Sequence, residues 1–186
     1  MNVRTPSRSV LLAVVILALA SGCAAPTPSG ASLTGLPELD AIIAAAQSDD
    51  PGALVPFFEY TRAACTSAEG LGGPPKCLPG EAEGAVVEVL PLLGPEGSFL
   101  RKADVNQWEG LSLGEIHAVY EVPDAAYRDE NYPAGEHALV FNGKNDSSTS
   151  VTLQVRAGRI VRIDYGLNRV PEIRPEDVSR YLVSPR

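Results

Sequence analysis

The chain contains few of the residues and short motifs that usually identify an enzyme. Its 186 residues include only two histidines and three cysteines. The zinc motif HExxH, the phosphate loop GxxxxGKS/T, the EF-hand loop and the dinucleotide fingerprint are all missing. Residues 110–114 (GLSLG) have the GxSxG spacing, but they lie between a predicted helix and a predicted strand, whereas a nucleophile elbow joins a strand to a helix. The sequence therefore assigns no catalytic residue, no metal and no cofactor, and it favours a non-enzymatic function.

Basic side chains are scarce as well. Fifteen lysines and arginines stand against 23 aspartates and glutamates, which gives a formal charge of −8. Because nucleic-acid-binding proteins draw much of their affinity from clustered basic charge, we expect no nucleic acid partner. The chain is 45% apolar, which is too hydrophobic for a disordered protein, and its length suits one domain with appendages.

The first 22 residues are typical of an export signal. Arg4 and Arg8 precede an unbroken apolar run at residues 10–20, and the small residues Ser21 and Gly22 follow it. As a helix this run would rise about 16 Å, whereas the apolar core of a bilayer is about 30 Å thick. The segment is therefore predicted to be a secretory signal peptide and not a membrane span.

The end of this segment, residues 19–23 (LASGC), resembles the lipobox of bacterial lipoproteins. The resemblance implies cleavage before Cys23, diacylglycerol on its thiol, and a mature protein anchored in the cell membrane or outer membrane, facing outside the cytoplasm. The alternative is an ordinary signal peptide followed by a chance cysteine. We assign residues 1–22 to the signal peptide, 23–36 to a Pro/Ser/Gly-rich tether and 37–186 to a single domain.

The other two cysteines, Cys65 and Cys77, form an even pair, which in an exported protein predicts a disulfide. Closing this glycine-rich ring would stabilise the fold by about 3 kcal/mol on the chain-entropy model. A metal site would need further Cys or His ligands nearby, and a reactive dithiol would more often have the CxxC spacing. We therefore expect a structural disulfide.

The pattern of apolar residues predicts an α+β domain. A helix begins at Pro37 with a stripe of Leu39, Ile42, Ile43 and Ala46, and a second helix is predicted from Asp50 towards Cys65. Short helices are predicted near residues 103–110 and after Pro175. Strands are predicted at residues 85–90, 115–122, 136–142, 149–156 and 159–165.

The last two strands predict their own register. Val151, Leu153 and Val155 alternate with polar residues, and Val161, Ile163 and Tyr165 alternate with Ile160, Arg162 and Asp164. A three-residue loop of Arg156, Ala157 and Gly158 pairs Leu153 with Val161 and keeps the apolar side chains on one face. We therefore predict a three-residue hairpin loop.

Two resemblances extend this interpretation. The helical opening and the hairpin VTLQVRAGRIVRIDYG resemble the cone-shaped nuclear-transport-factor-like (cystatin-like) fold, in which N-terminal helices pack on a curved antiparallel sheet. This likeness implies a pocket between helices and sheet. The stretch ACTSAEGLGGPPKCLPGEAEGAVVEVLPLLGPEGSFLR resembles uncharacterised bacterial lipoproteins and implies no chemistry.

The two histidines are candidate site residues. His117 and His137 lie on predicted strands beside Glu115 and Glu136, and neighbouring strands would allow a zinc site or an acid–base pair. The alternative is two half-exposed histidines on the polar face of the sheet. With His117 and His137, we consider Asp164 and Tyr165 possible pocket or ligand residues.

Two charged segments are candidates for binding. Arg156, Arg159 and Arg162 cluster at the hairpin and are a possible patch for an anion or an acidic partner; the alternative is neutralisation of nearby acids such as Asp164. The loop at residues 124–135 mixes acids with tyrosines. It suits a solvated, partner-contacting loop better than a calcium site.

These observations leave three functions open. We prefer a lipid-anchored, non-catalytic domain that binds an envelope protein or a small ligand. The second hypothesis is a small enzyme or metal-dependent protein that uses a pocket containing His137, Asp164 and Tyr165. The third is a structural module of the envelope, which would expose a large apolar patch. A filled space between helices and sheet would favour the first hypothesis over the second.

Overall fold

A large, open and curved sheet of eight strands dominates the structure, and the fold is mixed α+β. The computed structural model describes residues 32–48, 50–94, 97–123, 131–144, 149–166 and 173–185. One α-helix, α1 (Pro37–Ala46), occurs within these ranges. The strands are β1 (Thr61–Ala64), β2 (Val86–Leu93), β3 (Ser98–Arg101), β4 (Leu113–Glu121), β5 (His137–Gly143), β6 (Ser150–Arg156), β7 (Arg159–Gly166) and β8 (Arg180–Val183).

The strand order places the last four long strands in the middle of the sheet. It runs β1-β2-β7-β6-β5-β4-β8, and β3 pairs with β2 outside this order. Strands β4 to β7 form an antiparallel meander, whereas β2 and β7 are parallel. The strands predicted near these positions are confirmed, with bounds shifted by one to three residues.

Helix α1 buries the stripe that the sequence indicates. Leu39, Ile42, Ile43 and Ala46 are buried and share one core with side chains of the sheet. Pro37 occupies the first turn, where its missing N–H costs no hydrogen bond. Asp40 accepts hydrogen bonds from Ser32 and Thr34, which hold the chain that enters the helix.

The predicted second helix is wrong. Asp50 does accept a hydrogen bond from the backbone N–H of Gly52, but only a 3-10 turn follows, at Val55–Phe57. Pro56 lacks the N–H that a continued helix needs. The backbone N–H of Glu59 instead donates to the Ile160 carbonyl of β7, and the chain continues into β1.

The other two predicted helices are shorter than expected. Residues Lys102–Gln107 form a 3-10 helix, and so do Pro175–Asp177. The apolar residues after Pro175 form strand β8, which pairs with β4, and do not continue a helix. A free sheet edge therefore overrides the helical signal at this end of the chain.

The hairpin register differs from the predicted one. Arg156 pairs directly with Arg159, so the loop has two residues, and Leu153 faces Ile163 instead of Val161. An irregularity between Gln154 and Val155 accommodates the extra residue inside the strand. This β-bulge keeps the apolar side chains of the two strands on one face, which we had predicted a three-residue loop would do.

Both faces of the meander are covered. We call the side that packs on α1 the helix face; its core includes Leu139, Phe141 and Leu153, all fully buried. The other side, here the opposite face, carries a smaller apolar cluster around Tyr120 and Val140. Segments 131–136 and 173–183 contribute its covering residues. The middle strands are therefore buried from two sides.

The two-residue turn provides a test of this register. Ala157 and Gly158 have φ of +48° and +70°, as a type I′ turn requires, and Ala157 is strained there because of its Cβ. Ala157→Gly should raise the free energy of unfolding by about 0.5–1 kcal/mol. Gly158→Ala should lower it by about 1 kcal/mol or more, since the added Cβ also approaches Glu38. Urea denaturation measures both changes, and a stabilising Gly158→Ala would contradict this turn.

Candidate functional site

The two histidines lie apart in the sheet. His137 pairs with Glu121, whereas His117 occupies an irregularity of β4 opposite Val140 and Phe141. Three to four residues of strand separate these levels, or about 10–13 Å. The backbone register therefore does not bring the two imidazoles to one metal ion.

Each histidine has a different environment. His117 is only 5% exposed, and its Nε2 has no hydrogen-bond partner within the described part of the chain. His137 lines a small surface cavity of about 300 Å³ at the start of α1, together with Glu38 and Glu136. The Glu136 carboxylate already accepts a hydrogen bond from the backbone N–H of Ala157.

Asp164 and Tyr165 lie on opposite faces, as neighbours in a strand must. Asp164 forms an ion pair with Arg162, at 2.6 Å from Nε and 2.9 Å from Nη2. Tyr165 is 39% exposed, and partial burial raises the pKa of its hydroxyl. The predicted pocket residues therefore do not converge on one site.

The three arginines of the hairpin do not form one exposed patch either. Arg162 is 6% exposed and lies on the opposite face of the sheet. Arg156 is half-buried, and only Arg159 is exposed. Each donates to a backbone carbonyl, Arg156 to Ala134, Arg159 to Pro56 and Arg162 to Tyr132.

A buried polar centre on the opposite face was missed by the sequence analysis. Asp164 accepts hydrogen bonds from Arg162 and from the Gln154 amide, and the Gln154 carbonyl accepts one from the backbone N–H of Gly135. Arg162 also binds the Tyr132 carbonyl at 2.9 Å. Together these bonds fasten residues 132–135 to strands β6 and β7. Only the register, which places Gln154 opposite Arg162, could have revealed this centre.

Tyr120 lies on the same face as this centre. Burial, with smaller contributions from the negative charges of Asp177 and Asp164, raises the pKa of its hydroxyl to about 12. Its ring packs edge-on against Tyr181 of β8, with centroids 6.0 Å apart. This tyrosine therefore stays neutral at physiological pH and acts in packing.

The predicted disulfide between Cys65 and Cys77 is present. It closes a loop in which the Thr66 N–H donates to the Pro75 carbonyl and the Cys77 N–H donates to Thr66. Within the described ranges, one set of three potential metal ligands lies close together, namely Cys65, Cys77 and Glu81. Because its two sulfurs are bonded to each other, this set offers no thiolate.

An ion pair fastens this disulfide loop to β3. Arg101, at the end of β3, donates two hydrogen bonds to the Glu81 carboxylate at 2.7 and 2.9 Å, and one to the Lys76 carbonyl at 2.7 Å. At the other end of β3, the Tyr132 hydroxyl donates to Gly73 of the loop, and its ring packs against Phe99. The loop is therefore held at both ends of β3.

A groove of about 400 Å³ lies between this loop and β3. Two of its lining residues, Leu71 and Leu78, are 75% and 49% exposed. Phe99, Lys76 and Asp104 also line it. We call it the loop groove. Sequence analysis missed it, although one leucine inside the disulfide-closed, Gly/Pro-rich segment and a second directly after Cys77 were a visible signal.

Other parts of the chain add less to a candidate site. A further surface cavity of about 440 Å³ lies at the end of α1, beside Asp50, Glu109 and Lys144.

Most of the loop considered for calcium, residues 124–130, lies outside the described residues, as do the signal segment and Cys23. No helix among the described residues is long and apolar enough to cross a membrane.

Comparison with known proteins finds no family model, no curated protein and no solved structure that matches this chain.

The polar centre provides a stability test. Arg162→Leu would leave the largely buried Asp164 carboxylate without its cation, at a cost of about 3 kcal/mol in the free energy of unfolding. Replacing both partners, Arg162→Leu with Asp164→Leu, should recover part of that loss. Arg159→Leu is the matched control, because Arg159 also binds a carbonyl but is exposed; it should cost less than about 1 kcal/mol. Equal losses for the two arginines would contradict this role.

The Arg101–Glu81 pair provides a test of pH dependence. The hydrogen bonds from Arg101 lower the pKa of the Glu81 carboxyl from its usual 4.5. A lowered pKa contributes stability above pH 4.5 that is lost as the pH falls through the folded-state pKa. Glu81→Gln should therefore destabilise the protein at pH 6, and the difference from wild type should shrink towards pH 3. A difference that is constant over this range, measured by thermal unfolding, would exclude the ion pair as its cause.

Proposed function

We propose that this protein is a lipid-anchored binding domain of the bacterial cell envelope, displayed outside the cytoplasm through lipid on Cys23. The observation that carries the binding function is the loop groove, an exposed apolar surface beside a disulfide-closed loop. The signal segment supports the location, since Arg4 and Arg8 precede a short apolar run that ends at Cys23. A disulfide is also typical of exported proteins.

The packing between helix and sheet supports binding at the surface over catalysis in an interior pocket. Leu39 and Ile42 of α1 and Phe141 and Leu153 of the sheet are each at most 1% exposed and belong to one core. Side chains thus occupy the space in which a cone-shaped protein would hold a small ligand. A partner therefore meets this domain at its exterior.

We also propose that the helix and the curved sheet are a reduced version of the cystatin-like cone. Packing of α1 on one face of the antiparallel meander β4–β7 supports this relation. The missing second helix distinguishes this chain from the arrangement that the resemblance implies.

A small enzyme or metal-dependent protein is the second candidate function. The cavity at His137 favours it, because an imidazole and the carboxylates of Glu38 and Glu136 line one space beside α1. Such groups can transfer protons or bind a divalent cation. The binding function has the stronger support, since Glu136 is already engaged by the hairpin backbone.

The anchor is tested with the full chain in a bacterial host. Wild-type protein should fractionate with membranes, and its N-terminal peptide should carry diacylglycerol on Cys23. Cys23→Ser should abolish the lipid on the N-terminal peptide, because serine has no thiol to form the thioether with diacylglycerol. A matched control, Ser21→Ala, keeps a small residue before the cleavage point and should stay anchored.

An unmodified Cys23 in the wild-type protein, found by mass spectrometry of membrane and soluble fractions, would refute the anchor. Diacylglycerol that persists on the N-terminal peptide of Cys23→Ser would also refute it.

A further inference from the structure

Strand β3 is an edge of the sheet. Ser98 to Arg101 pair with Leu92 to Val89 of β2, and within the described residues no strand pairs with the other side of β3. Its outward backbone N–H and C=O groups also have no hydrogen-bond partner in that part of the chain. An exposed strand edge of this kind is a template for another extended segment.

The loop groove runs beside this edge. Residues 97–99 and Arg101 form one wall, and residues 70–78 form the other. The Cys65–Cys77 disulfide, the Arg101–Lys76 hydrogen bond and the Tyr132–Gly73 hydrogen bond hold the second wall in place. Because the loop is already ordered, a ligand would not have to supply the free energy for ordering it.

The side chains of the groove indicate what fits there. Leu71 and Leu78 are exposed, and Phe99 is half-buried, so the groove offers separate apolar contacts to a neighbouring chain. Lys76 is exposed, and its ammonium group has no acidic partner within the described residues. By contrast, Arg101 is neutralised by Glu81. Asp104 also lines the groove, so a ligand that places one acidic side chain at Lys76 and none at Asp104 would complement its charges.

We infer that the loop groove binds an extended segment of a partner protein, which adds as a strand to the free edge of β3. Alternate apolar side chains of the segment contact Leu71, Leu78 and Phe99, and a carboxylate pairs with Lys76. This inference rests on the proposed binding function and specifies its partner. A second copy of this chain fits less well, because each chain carries a formal charge of −8 and two copies would repel each other.

A peptide library tests the inference. Random nine-residue peptides displayed on phage are selected on the purified full chain. We expect the enriched peptides to alternate apolar and polar residues and to contain at least one Asp or Glu. The best of them is synthesised, and its dissociation constant is measured by fluorescence anisotropy. A selection that enriches no alternating peptide would overturn the inference.

Side-chain variants locate the binding site. Lys76→Glu and Leu71→Ser should each weaken binding of the selected peptide by roughly tenfold, as expected for a substantial interface contact. Arg62→Glu and Leu33→Ser are the matched controls, because both residues are exposed and lie outside the groove. They should leave the affinity unchanged. Since all four residues are exposed, thermal unfolding should differ little among the variants. Equal effects of groove and control variants would overturn the inference.

Backbone methylation of the peptide tests strand addition directly. In a strand paired along one edge, alternate N–H groups face β3 and the remainder face away. N-methylation of one alternate set should therefore abolish binding, and methylation of the other set should leave it nearly unchanged. Equal losses with both sets would exclude strand addition. A dimer that blocks peptide binding, seen by analytical ultracentrifugation, would assign the groove to a second copy instead.

The outcome is separable from that of the anchor experiment. If Cys23 carries lipid but selected peptides ignore Lys76 and Leu71, the envelope location stands and the groove assignment fails. If peptides bind the groove but Cys23 is unmodified, the location fails and the groove assignment stands.

Discussion

Burial of the middle strands from two sides is the constraint on which the rest of this structure depends. On the helix face, α1 and the sheet share one apolar core that includes Leu39 and Phe141. On the opposite face, the Arg162–Asp164 pair and Gln154 hold residues 132–135 against β6 and β7. Gly135 is needed there because a Cβ would lie 2.6 Å from the Val155 nitrogen. With both faces of these strands occupied, edges and loops are the surfaces left for the binding that we propose.

The disulfide loop lies beside the sheet edge to which we assign the proposed binding. Exported proteins often use a cystine to order a loop that could not bury enough apolar surface by itself. Here the loop is closed by Cys65 and Cys77, and it is fastened at both ends of β3 by Arg101 and Tyr132. The same contacts leave Leu71 and Leu78 outside the core. Tyr132 links this loop to the polar centre, because its hydroxyl donates to Gly73 and its carbonyl accepts from Arg162.

Sequence reasoning predicted those features that local patterns determine. Alternating apolar residues located the long strands, and cysteine count and compartment predicted the disulfide. Sequence reasoning failed where contacts between distant parts of the chain determine the local structure. The segment after Asp50 begins like a helix, but Pro56 allows only a 3-10 turn. The backbone N–H of Glu59 then donates to the Ile160 carbonyl of β7. The bulge near Val155, and with it the pairing of Gln154 with Arg162, depends on long-range register. The loop groove depends on β3 and residues 70–78 meeting in space.

The most direct test is amide hydrogen exchange of the full chain with the disulfide intact and after reduction by a phosphine. The account predicts that amides of the disulfide loop and β3 then exchange rapidly. Amides of β5 and β6 should still exchange only through global unfolding, whose free energy should fall by no more than about 3 kcal/mol. Amides of β5 and β6 that exchange as fast as those of the loop would contradict a sheet that is stable without the disulfide loop. Unchanged protection of β3 would contradict the role of the disulfide in holding the groove.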